Sequence, residues 1–136
     1  MPVWFKGAHL QLWFGDVVSE KDATNCKTRA ASIEDIQRSV AFVREALMTK
    51  GSRVLVCCDY GASRSPALAY IFIADQFGVG REAEAFQLML DIRPIAVPNG
   101  LVVRLGDMVL QRRGALRQPM RDFYAKINAE LFPKVA

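Results

Sequence analysis

Cys58 and Arg64 are separated by five residues in the stretch "VLVCCDYGASRSPALAY", which runs from Val54 to Tyr70. An apolar, strand-like run ends there at two adjacent cysteines, and Pro66 then opens an apolar, helix-like run. A strand-to-helix loop leaves backbone N–H groups unpaired at the helix N-terminus, and these point inward when the loop wraps tightly. The small residues Gly61, Ala62 and Ser63 permit that wrap. A ring of amides from Asp59 and Tyr60 through Arg64 suits a tetrahedral dianion such as phosphate, sulfate or vanadate. Arg64 adds a planar, permanently charged fork for two of its oxygens. At the base of such a ring Cys58 is favoured as thiolate, because cysteines in such surroundings ionise well below a free thiol. A thiolate under a bound phosphate is a nucleophile aimed at phosphorus. Ser65 stands where its hydroxyl can bond the sulfur and ease its later departure. The chemistry implied is phosphoryl transfer to cysteine and then to water, with no metal or organic cofactor, since the loop itself supplies the charge.

The elements that must position these residues are legible in part. "HLQLWF", from His9 to Phe14, reads as a strand that ends at Gly15 and Asp16. Residues 17–31 are polar, without a clear period, and read as a mobile loop. Ser32 offers an N-cap with Asp35 three residues on, an acidic capping box. Ile33, Ile36, Val40, Val43 and Leu47 then follow the spacing of an amphipathic helix that Gly51 stops. "RVLVCC" is a continuous β-branched run, which predicts a strand buried on both faces. Pro66 and Gly78 bracket a helix so apolar that it should be the most buried. Three more helices are predicted over about 81–92, 100–113 and 120–132, separated by Pro94, Pro98 and Gly114. The order predicts one small α/β domain over residues 1–136, with a mainly parallel sheet, flanking helices and a helix-rich C-terminal half.

Composition narrows the class without deciding it. At 51% hydrophobic and 24% charged residues the chain matches ordinary soluble proteins. No apolar run reaches the ~20 residues of a membrane span, and the N-terminus does not read as a signal peptide, so a cytoplasmic location is expected. Cys26, Cys57 and Cys58 make a poor disulfide framework and show no zinc spacing. Reduced thiols fit better, and the single histidine, His9, excludes multi-histidine metal sites. The net charge of +4 would also favour an anionic substrate, but alone it decides nothing. The basic clusters Arg112/Arg113 and Arg117/Arg121 read as a solvated helical face rather than a nucleic-acid or membrane patch.

"VLVCCDYGASRSPALA" resembles the Cys-x5-Arg signature loop of the protein tyrosine phosphatase superfamily, and most of all its small dual-specificity branch, in a bacterial style. "RPIAVPNGLVVRLGD", Arg93 to Asp107, is similar to that branch's Arg-Pro-x-x-x-Pro-Asn segment. The resemblance covers roughly residues 8 to 113 and implies hydrolysis of phosphotyrosine or mixed phosphoprotein monoesters, or of a small phosphomonoester. It makes Cys58 the nucleophile, Arg64 the clamp and Asn99 a brace for the loop, though Asn99 also suits a plain helix N-cap. It calls for an upstream Asp as general acid. Asp16, which follows the first strand 42 residues before Cys58, ranks ahead of Asp22 and Asp35.

The chain departs from the resemblance in three places. Cys57 stands where the branch has His, which should raise the Cys58 pKa and weaken activity. Cys57 itself reads as a small buried hydrophobe rather than a redox partner. Asp59 inside the loop argues against a phosphoinositide-directed pocket. Only "MPVWFKGA" precedes the first strand, so the sheet is small, the sequence starts inside a longer domain, or a partner chain completes the edge. An open edge with Trp4, Phe5 and Trp13 nearby makes a homodimer one option. Two other functions compete: a pseudophosphatase that binds phosphorylated partners without turnover, and another thiol enzyme, a sulfurtransferase or an arsenate reductase. The arsenate reductase would need Cys26 or Cys57 as a resolving thiol.

Overall fold

The computed structural model describes residues 3–133, and among them the regular elements are six helices: α1 (Glu20–Asn25), α2 (Ile33–Leu47), α3 (Arg64–Phe77), α4 (Glu82–Ile92), α5 (Gly100–Val109) and α6 (Arg117–Leu131). α3 is the hub and packs against α4, α5 and α2, while α6 closes over α4. Its Ala67, Tyr70, Ile71 and Ala74 are fully buried, beside Ile36 of α2, Met89 of α4, and Val102 and Val103 of α5. α5 approaches α3 closely at Gly106, where a Cβ would run into the Ile71 side chain. Tyr70 meets Phe86 edge-on at 5.0 Å, and its hydroxyl donates to the Leu116 carbonyl at 2.6 Å. None of the helices is long and apolar enough to cross a membrane.

The predicted capping box forms: the Asp35 amide donates to Ser32 Oγ and the Ser32 amide to Asp35 Oδ2. Arg29 adds a two-pronged pair to the Asp35 carboxylate, at 2.8 and 3.0 Å. Residues 17–31 are not the loop expected. Ser19 caps α1 within them, and Val17, Ala23, Ala30 and Ala31 bury against the core.

The sheet does not form. Among the described residues there is no β-strand. The segments 9–14 and 53–58 lack regular structure, and no backbone–backbone hydrogen bond among the described residues joins either to a neighbour. A strand is defined by its ladder, and an apolar run alone does not supply one. Leu12, Phe14 and Val56 pack onto the helices, whereas Trp13 and Leu55 are exposed at 72% and 85%. The predicted burial of residues 53–58 on both faces is therefore wrong: helices cover one side only. The α/β class with a parallel sheet gives way to a helical layer flanked by two unladdered segments.

The basic-face reading also fails at Arg112. Its guanidinium is buried, 2.7 Å from Glu82 Oε1, and donates to the Ala74 carbonyl at 3.0 Å, tying α3, α4 and the end of α5 together. Burial pushes the Glu82 carboxyl up, but the hydrogen bonds from Arg112 and the Gly80 amide outweigh it and hold it below the usual range. Replacing Arg112 by alanine should cost about 3–5 kcal/mol in urea unfolding, because it strands a buried carboxylate. The double change Glu82→Met with Arg112→Met should cost far less. A depressed carboxyl stabilises the fold above its unfolded pKa. That contribution should fade as pH falls through the lower, folded value.

Candidate active site

The chain leaves the 53–58 segment at Cys58, turns through Asp59 to Ser63 and enters α3 at Arg64. Gly61 carries the turn at φ 64°, a left-handed conformation that favours glycine, and the Arg93 guanidinium lies 3.3 Å from where a Cβ there would sit, a close but yielding neighbour. Four consecutive loop carbonyls are taken by donors from residues 93–99. Arg93 Nη2 reaches Tyr60 O at 3.5 Å and Arg93 Nε reaches Gly61 O at 2.9 Å. The Val97 amide donates to Ala62 O at 2.7 Å and the Asn99 amide to Ser63 O at 3.1 Å. With the carbonyls held on that side, the loop amides turn toward the sulfur.

Cys58 Sγ shares a 3.2 Å hydrogen bond with Ser65 Oγ and accepts from the Ser65 amide at 3.5 Å. Partial burial pushes this thiol up. The Ser65 hydroxyl and the amides of Ser65, Gly61 and Tyr60 more than offset that, so it lies below its ordinary value. The thiolate is thus favoured by short-range donors even with Cys57 in place of a histidine. Cys57 is exposed, contrary to the expected buried role, and lines a hollow of about 280 Å³ with Val56, Gly61, Pro66 and Ala69.

Arg64 reaches out of α3 with Nη1 on the Phe14 carbonyl at 3.0 Å and Nη2 on Asp59 Oδ2 at 2.8 Å. Its Nε is buried and has no partner among the described residues. Asp16 comes to the same place from the opposite segment: its Oδ1 accepts from Ser63 Oγ at 2.7 Å and from Asn99 Nδ2 at 2.8 Å. Asn99 is buried and serves twice, since its Oδ1 also caps α5 through the Val102 amide at 3.0 Å. The other two acids are occupied elsewhere. Asp35 closes the α2 capping box and pairs with Arg29, and Asp22 bonds Ser19 at the start of α1. Asp22 does share a cavity of about 400 Å³ with Asp16, Ser63, Asn99, Cys26 and Tyr124. Tyr60 stands exposed at the rim.

Arg93 was not singled out by sequence reading, although it opens the quoted Arg-Pro segment; nothing in that segment reveals a bond to carbonyls 32 and 33 residues upstream. It positions the loop without reaching the sulfur. Arg93→Ala should raise KM for an aryl phosphate roughly tenfold, the worth of two lost hydrogen bonds. Arg93→Lys, which keeps the charge but not the fork, should recover only part of it. Full rescue by lysine would make the effect one of charge alone.

A profile of the dual specificity phosphatase catalytic domain matches residues 10–108. A protein of Dictyostelium discoideum, named as a probable serine/threonine-protein kinase, is 40% identical over 85 residues, which are 59% of this chain and 3% of that protein. The chain thus spans a small fraction of that relative's length. No solved structure matches. The family profile extends from the segment that carries Asp16 to the α5 helix that Asn99 caps, across both motifs that build the loop, and the chain belongs to the dual specificity phosphatase family.

Proposed function

We propose that this chain is a cysteine-dependent phosphatase that hydrolyses phosphotyrosine or mixed phosphoprotein monoesters. The observation that carries the reading is the Cys58 sulfur, ringed by the amides of Tyr60, Gly61 and Ser65 and the Ser65 hydroxyl, with Arg64 beside it. The Cys58 thiolate attacks phosphorus in line with the leaving group. As the ester P–O bond breaks, Asp16 gives its proton to the departing oxygen. The loop amides and Arg64 hold the three remaining phosphoryl oxygens throughout. Water then attacks the phosphocysteine while Asp16 takes up its proton. The S–P bond breaks, and the Ser65 hydroxyl supports the returning thiolate. Inorganic phosphate leaves.

The direct test is release of inorganic phosphate from an aryl phosphate by the full chain with a chelator present, and its inhibition by vanadate. Chelator-resistant, vanadate-sensitive turnover supports the reading. One observation favours the pseudophosphatase instead, since Arg64 already carries a carboxylate on its fork. Vanadate or phosphate binding without any turnover would select that second reading.

A further inference from the structure

The anion clamp is not empty. Asp59 lies five residues before Arg64 yet faces it across the loop, with Oδ2 2.8 Å from Nη2. Its side chain is 80% exposed while that of Arg64 is 20% exposed, so the carboxylate leans from the rim over the fork. Such a fork binds carboxylate and phosphate oxygens by the same geometry. Of the other donors of Arg64, Nη1 reaches the Phe14 carbonyl at 3.0 Å and Nε is buried without a partner among the described residues. Asp16, the other acid whose charge acts on Arg64, is held by Ser63 and Asn99 instead. Arg93 faces the loop carbonyls rather than Asp59.

Resting on the reading of this loop as a phosphate site, we propose that Asp59 is a specificity-determining residue. In the unliganded site it is the internal counter-anion of Arg64. An incoming phosphate must displace it, and the displaced carboxylate then stands at the mouth as a fixed negative charge. Substrates with a second anionic group next to the phosphorylated residue meet that charge and are disfavoured; neutral or basic neighbours are preferred. No bond is made or broken in this exchange, and one anion replaces another on the same fork.

Exposed ion pairs are weak, so the pair alone is worth about a 1.5- to fivefold change in affinity. Removing the repulsion between the displaced carboxylate and a bound dianion adds to it, and salt should screen both. The test is calorimetric titration of inorganic phosphate into wild type, Asp59→Asn and Arg64→Ala at low and high salt. It is paired with kcat/KM for phosphotyrosine peptides bearing neutral or acidic neighbours. Asp59→Asn should bind phosphate roughly three- to tenfold tighter at low salt, with the gap narrowing as salt rises. It should also hydrolyse the acidic peptide better relative to the neutral one. If Asp59→Asn binds phosphate no tighter than wild type while Arg64→Ala loses binding, the role of Asp59 is overturned and the phosphatase reading stands. An unchanged peptide preference overturns it equally. If neither wild type nor Asp59→Asn binds phosphate, the anion site itself is wrong and this inference falls with it.

Discussion

Cys58→Ser should abolish turnover of an aryl phosphate, a loss on the order of 10⁴-fold or more, while inorganic phosphate still binds. Removing the nucleophile of a covalent mechanism typically costs that much or more, because what remains is the stabilising environment alone. A serine hydroxyl at this place is not ionised by the donors that suffice for a thiol. The amides and Arg64, which would bind the anion, are untouched by the change. The same donors predict a pH signature. With its pKa lowered, Cys58 stays thiolate to lower pH than free cysteine, whose value is about 8.5. Its alkylation rate should therefore reach its plateau at lower pH. Cys26 and Cys57 are exposed free thiols, so the measurement belongs in a Cys26→Ser, Cys57→Ser background. In that background Ser65→Ala should move the profile back up. A profile that follows free cysteine would sink the activated nucleophile, whatever the Cys58→Ser result.

What could be read from the sequence was local. The α2 cap follows from Ser32 and Asp35, three residues apart, and the α2 periodicity from five apolar residues on one face. The start of α3 follows from Pro66, and its end at Gly78 from a residue that tolerates φ 92°. Each of these is settled within one or two turns of chain. The sheet failed because apolar β-branched residues report a wish for burial, not a hydrogen-bonding neighbour. Val56 finds a core to face, and Leu55 beside it does not. α1 escaped notice because six residues held by a Ser19 cap are too few to show a period. Arg93, Phe14 and Asp59 act on the loop through contacts that depend on the turn being closed, and Arg93 and Phe14 reach it from 32 and 50 residues away. Asp16 is the intermediate case: a strand-end position made it the leading acid, but its bonds to Ser63 and Asn99 exist only in the fold.

Those two bonds give Asp16 a bracing task beside the general-acid role proposed for it, and the variants can separate the two. Asp16→Asn keeps an oxygen that can accept from Ser63 Oγ and Asn99 Nδ2, so the brace between the loop and the α5 cap survives. It removes only the proton. General acid catalysis of this kind contributes about 10²- to 10⁴-fold, and it matters in proportion to how poor the leaving group is. Asp16→Asn should therefore lower kcat strongly for phosphotyrosine or phosphoserine peptides. It should do so only slightly for a nitrophenyl phosphate, whose phenolate leaves unaided. Asp16→Ala loses the brace as well, and should raise KM and weaken phosphate binding for every substrate alike. An equal loss on good and poor leaving groups in Asp16→Asn would mean that Asp16 only positions the loop. Asp22, across the shared cavity, would then be the carboxylate to substitute next.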